Sequence, residues 1–160
     1  RLSCVPAAVL SKYRMKRDTG SGLRELWLTG QDVSVLSQQV GQLLNLRTLG
    51  LAGNRLESLP AQLGELKRLE RLVLSSNRLS GLPAELAGLQ ALKERRLDGN
   101  VLRELPGCVF RLRRLVLLSA SKNRLTAVPE ELARLRQLGE LDLDAIRAAV
   151  ELSDTAVEAA

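Results

Sequence analysis

Histidine is missing from all 160 residues. Its absence removes the commonest general base, nucleophilic arrangements of the serine–histidine kind and most zinc sites. Aromatic residues are nearly missing too, with Tyr13, Trp27 and Phe110 the whole set. A core without aromatic rings must be assembled from leucine and smaller aliphatics, which favours a repeated, uniform interior. No apolar run approaches the roughly 18 residues needed to span a bilayer. Gly20 and Gly22 lack the lysine and the following helical pattern of a phosphate-cradling loop. The expectation is therefore a non-enzymatic chain without cofactor, resident metal or small-molecule substrate.

What is present is typical of a folded soluble domain: 45% hydrophobic and 26% charged residues. The net charge of +6 is unevenly placed. Residues 139–160 hold Glu140, Asp142, Asp144, Glu151, Asp154 and Glu158 against Arg147 alone, so the body carries the positive excess. Lysine and arginine in that body are interleaved with acids rather than massed in one run, so binding to nucleic acid or to an acidic membrane surface is not the first expectation. Asp142 and Asp144 point the same way on a strand, but a solvated acidic edge is preferred over a cation site.

From Leu23 the same pattern returns at Leu46, Leu69, Leu92, Leu115 and Leu138, a period of 23 residues without slippage. Three of the rows read "LRTLGLAGNRLESLPAQLGELKR", "LERLVLSSNRLSGLPAELAGLQA" and "LVLLSASKNRLTAVPEELARLRQ". Alternation such as Leu49 with Leu51, or Leu72 with Leu74, predicts a short strand with one buried face, and stacked rows predict a parallel sheet. Asn54, Asn77, Asn100 and Asn123 follow the strand, where an amide satisfies backbone groups of the bending chain as an internal ladder. Pro60, Pro83, Pro106 and Pro129 fix an extended lead into a convex segment whose leucines, such as Leu63 and Leu66, return to the core. One row closes one turn, and no turn is stable without its neighbours.

These rows resemble the leucine-rich repeat family over most of the chain, and their 23-residue length with proline after the fifth leucine resembles its intracellular class, the Ras-group and Ras-pathway scaffolds. The resemblance implies an α/β solenoid, a right-handed curved horseshoe with a parallel sheet on the concave face and short helical or irregular convex segments. It also implies protein binding on the concave face, in signalling or assembly.

The expected organisation is a partial repeat plus basic loop over 1–22, the solenoid over 23–145 (five full repeats and part of a sixth), and a cap helix or tail over 146–160. The opening "RLSCVPAAVL" matches "NRLESLPAQL" from its second residue, so the chain is expected to begin inside a repeat, followed by about eight residues more than the period requires. Gln31 and Ile146 take the asparagine position in the terminal rows, as end repeats often depart from the pattern. Cys4 and Cys108 are about four rows apart, roughly 19 Å at ~4.8 Å per strand, too far for a bridge. With no cysteine-rich cap visible, a reducing, cytoplasmic compartment is expected, and Cys108 is read as a small residue on a convex turn.

Residues between the strand leucines face outward and align in ladders: Trp27, Gly50, Val73, Arg96, Ser119, Asp142; Glu25, Thr48, Arg71, Glu94, Leu117, Glu140; and Thr29, Ala52, Ser75, Asp98, Ser121, Asp144. The candidate partner-binding residues are Trp27, Arg71, Val73, Arg96, Asp98, Leu117, Ser119 and Asp142, since tryptophan and arginine most often anchor interfaces. A rival basic surface is formed by Arg111, Arg113, Arg114, Arg134 and Arg136 on the convex side. Electrostatic binding of nucleic acid or acidic lipid through them is the alternative function. One position breaks the pattern: Arg95 stands in the column of Leu26, Leu49, Leu72, Leu118 and Leu141, all expected in the core. A buried guanidinium is costly, so Arg95 is expected to snorkel out or to meet Glu70, Glu94 or another carboxylate.

Overall fold

The computed structural model describes residues 4–5, 22–127 and 129–142. Ile146, Asp144, the residues 146–160 expected to form a cap or tail, and most of the basic loop lie outside the described residues. The strands are β1 (Cys4–Val5), β2 (Glu25–Trp27), β3 (Val35–Leu36), β4 (Thr48–Gly50), β5 (Arg71–Val73), β6 (Glu94–Arg96), β7 (Leu117–Ser119) and β8 (Glu140–Asp142). Six of them form one parallel sheet in the order β2-β4-β5-β6-β7-β8. Each residue pairs with the one 23 positions later, as in Leu26 with Leu49 and Leu49 with Leu72. The sequence period is thus the sheet register. A separate parallel pair joins β1 to β3 with Cys4 opposite Val35, about eight residues more than the step used elsewhere.

Each turn returns through a five-residue 3-10 helix: Gln38–Gln42, Ala61–Glu65, Ala84–Gly88, Gly107–Arg111 and Glu130–Arg134. The last four are preceded by Pro60, Pro83, Pro106 and Pro129, whose φ of −71 to −61 and ψ of 141 to 149 hold the extended lead-in. Leu63, Leu66, Leu86 and Leu89 then project inward and meet the strand leucines Leu49, Leu72, Leu74 and Leu97 in one buried aliphatic core. Burying each leucine is worth about 1.5–3 kcal/mol before entropy is subtracted.

The asparagine ladder links consecutive turns. Asn77 Nδ2 donates to Leu51 O at 2.8 Å and Leu74 O at 3.0 Å, while its Oδ1 accepts from Leu56 N at 3.0 Å. Asn54, Asn100 and Asn123 repeat the arrangement. The residue before each asparagine must take a left-handed conformation to aim the amide inward. Gly53 (φ 68) and Gly99 (φ 66) do so freely, whereas Ser76 (φ 56) and Lys122 (φ 53) carry a Cβ in the same conformation.

Two core expectations are corrected. Leu141, on β8, the last strand of the described sheet, is 38% exposed. Arg95 neither snorkels nor meets a carboxylate. Its side chain is 0% exposed, and none of its three guanidinium nitrogens has a hydrogen-bond partner. The strand pairing of Leu72 with Arg95 and Arg95 with Leu118 keeps it pointing into the core. Glu94, the adjacent residue, points to the opposite face and is held there by two other arginines.

Candidate functional site

The concave face is the outer side of the six-stranded sheet, and the register places the ladder residues side by side at fixed spacing. At one end, Trp27 is 50% exposed. Its indole lies over Gly50, where any Cβ would collide with the ring, and its Nε1 donates to Glu25 Oε2 at 3.4 Å. Glycine at this position of β4 is therefore what lets the large ring lie along the sheet.

At the centre, Glu94 is gripped from both sides. Arg71 Nε donates to its Oε2 at 2.7 Å and Arg96 Nε donates to its Oε1 at 2.7 Å. Partial burial, the largest single influence, pushes the Glu94 carboxyl up. The hydrogen bonds and charges of Arg96 and Arg71 together outweigh it and hold the carboxyl below its ordinary value of 4.5. Arg96 is raised in turn, first by its hydrogen bond to Glu94. The clamp fixes two otherwise flexible guanidiniums in the plane of the face, with both side chains still about half exposed. Glu94 is thus the residue that organises the centre of the face. Sequence reasoning placed it in a ladder but not among the candidate residues; the signal was its position between two arginines, one across the strand pair and one two residues on.

The remaining candidates divide. Val73, Leu117 and Asp142 are half-buried on the face. Asp98 is half-buried like these three, whereas Ser119 is buried rather than presented outward. Ser119 is buried and donates its hydroxyl to Asp98, which also accepts from Ser75 Oγ at 3.3 Å, Ser121 N at 3.1 Å and Ser121 Oγ at 3.0 Å. A carboxylate with that many short-range donors is bound into the sheet, so these two residues tie the turns at Leu69, Leu92 and Leu115 together.

The convex side differs along its length. Gly41 and Gly64 allow close approach of successive turns, since a Cβ there would meet the backbone oxygens of Gln62 and Glu85 respectively. Lys67 bridges two turns by donating to Gly64 O at 3.0 Å and Gly88 O at 3.2 Å. Phe110 takes the corresponding position two rows after Gly64, and beside it opens a shallow groove of about 960 Å³ lined by Gln90, Phe110, Arg111, Arg113, Arg134, Arg136 and Gln137. Four of the five predicted convex arginines are brought together there; Arg114 does not line the groove. Among the described residues, none of these arginines forms an ion pair. Likewise, no group able to hold a metal ion occurs among the described residues, and no helix there is long and apolar enough to cross a membrane.

The family profile described as leucine rich repeat matches residues 21–79 and again 44–102. No curated protein sequence matches the chain. Among solved structures, the chain is similar to a leucine-rich repeat protein of Leptospira interrogans, with 30% identity over 89% of this chain and 40% of that one, at a TM-score of 0.70. It is also similar to the leucine-rich repeat domain of the type III effector XopL, with 29% identity over 91% of this chain and 51% of that one, at a TM-score of 0.77. The Toll–Spatzle complex of Drosophila gives 32% identity over 76% of this chain and 17% of that one, at a TM-score of 0.70. The chain thus spans about half or less of the length of each.

Proposed function

This chain belongs to the leucine-rich repeat family, and we propose that it is a non-catalytic protein-interaction scaffold acting in signalling or complex assembly and binding its partner on the concave face. The observation that carries this reading is the contrast between columns. The core positions are mostly leucine, while the outward ladder beside them changes from Trp27 through the Arg71–Glu94–Arg96 clamp to Glu140 and Asp142. A rigid sheet with a varied face recognises a particular surface, and pre-fixed guanidiniums lower the entropy lost on binding. The half-exposed Trp27 and the clamped arginines are the residue types that dominate interface energetics. A structural relative, Toll, was solved with Spatzle bound.

Cytoplasmic residence belongs to the same proposal, supported by the scarcity of cysteine and by the unbonded state of Cys108. The runner-up reading is electrostatic binding of nucleic acid or acidic lipid, favoured by the four arginines gathered at the convex groove.

Affinity capture from cytosolic extract, quantified by mass spectrometry at two salt concentrations, separates the readings. The baits are the unmodified chain, Trp27→Ala with Arg96→Ala, and Arg111, Arg113, Arg114, Arg134 and Arg136 all changed to serine, each checked for folding by circular dichroism. Partners lost only with the concave variant support the scaffold reading. Capture that survives that change but fails with the serine variant and with added salt replaces it by the electrostatic one.

A further inference from the structure

We propose that the convex groove beside Phe110 is a binding site for a small soluble anion carrying two or more phosphate groups, held by Arg111, Arg113, Arg134 and Arg136. The site does not depend on whatever partner the concave face binds. Its place is set by one convex column, in which Gly41, Gly64 and Ala87 precede Phe110. At the two glycines the backbone of the next turn comes too close for any Cβ. Phe110 carries a buried ring at that position, and the groove opens beside it.

A second column shows that the arginines have no part in joining the turns. Lys67 Nζ donates to Gly64 O at 3.0 Å in its own turn and to Gly88 O at 3.2 Å in the next. Gln90, the following residue of the column, repeats this with its amide, donating to Ala87 O and, at 3.4 Å, to Arg111 O. Arg113 and Arg136 come next in the column, and neither makes such a bond among the described residues. The side chains of Arg111 and Arg134 likewise have no hydrogen bond or ion pair there. All four arginines are exposed, and no carboxylate lines the groove.

Like charges around one concavity focus the field inside it and raise the local concentration of counter-anions. The guanidinium fork meets phosphate oxygens with parallel hydrogen bonds, a match that carboxylate-free, unengaged arginines leave open. Arg111 stands one turn from Arg134, and Arg113 one turn from Arg136, so the groove offers two cationic pairs. Two pairs suit several phosphates on one molecule better than a single phosphate. The volume of about 960 Å³ is that of a small-ligand site, for which ~300–1,000 Å³ is usual. An extended polyanion fits less well. The column of Arg111 and Arg134 holds Glu65 and Gly88 in the turns before, so a strand running along the convex side would leave the arginines for a carboxylate.

Isothermal titration calorimetry of the full chain with sodium tripolyphosphate, at neutral pH and ~0.15 M ionic strength, tests the proposal. One ion should bind per chain. Arg113→Gln with Arg136→Gln strips one column of the groove of its charge and should weaken binding by about tenfold or more. Arg78→Gln with Arg103→Gln removes the same charge from exposed positions outside the groove, and should change binding by less than about twofold because such charges are screened. A folded parent chain that binds no tripolyphosphate overturns the proposal, as does an equal loss in the two variants. It is also overturned if a single-stranded oligonucleotide, or vesicles containing phosphatidylinositol bisphosphate, bind more tightly than tripolyphosphate through the same arginines, since the groove would then serve a polymer or a membrane.

Discussion

The turn that begins at Leu69 and the turn that begins at Leu92 have the same backbone. Their strands pair in register, their asparagines Asn77 and Asn100 make matching bonds, and their 3-10 helices follow Pro83 and Pro106 in the same way. Yet one carries Leu72 at the centre of its core and the other Arg95. One residue out of 23 did not move the strand, because Leu92, Leu97, Leu102, Asn100 and Pro106 all hold the same register. A solenoid turn is specified redundantly. The penalty for a wrong core residue appears as lost stability and altered local chemistry rather than as a changed fold.

The largest expected effect comes from repeating the anomaly in the neighbouring turn. Leu72→Arg buries a second guanidinium in a turn whose convex Glu85 is solvated; equilibrium urea unfolding should show a loss of about 3–5 kcal/mol. A loss as small as a few tenths would mean that these cores accept arginine without a counter-group. Asn77→Ala removes the ladder amide and orphans buried groups of Leu51, Leu56 and Leu74. It should cost about 3 kcal/mol in the same measurement.

In the opposite direction, Arg95→Leu should stabilise the chain by about 2 kcal/mol, since a packed leucine replaces a buried, unpaired charge. Ser76→Gly should add about 1 kcal/mol by relieving a left-handed conformation that Gly53 and Gly99 adopt without cost. The smallest effect belongs to the surface clamp. The Glu94 carboxyl is held below 4.5, so its contribution is present above that value and is lost as pH falls through the lowered one. Glu94→Gln should therefore flatten the acid side of the stability curve by less than about 1 kcal/mol.

What was legible in the sequence is what many positions state together. The 23-residue register, the asparagine ladder and the proline-led convex helices each recur in several rows, so one exception does not hide them. The fate of Arg95 depends on Arg71 and Arg96 already occupying Glu94, which a column of aligned residues does not hold. The burial of Ser119 is hidden from the pattern for a related reason. Its column holds Trp27 and Arg96, which reach outward, but a short hydroxyl is drawn down to Asp98. Leu141 shares its column with buried leucines, and that column alone gives no sign of its exposure.

The central claim is that recognition takes place on the sheet rather than on the 3-10 helices. Hydrogen–deuterium exchange of the chain with and without a captured partner tests it most directly. The account predicts new protection in residues 48–50, 71–73, 94–96 and 117–119, with 107–111 and 130–134 unchanged. Protection confined to those two convex helices, with the strands unaffected, would contradict it.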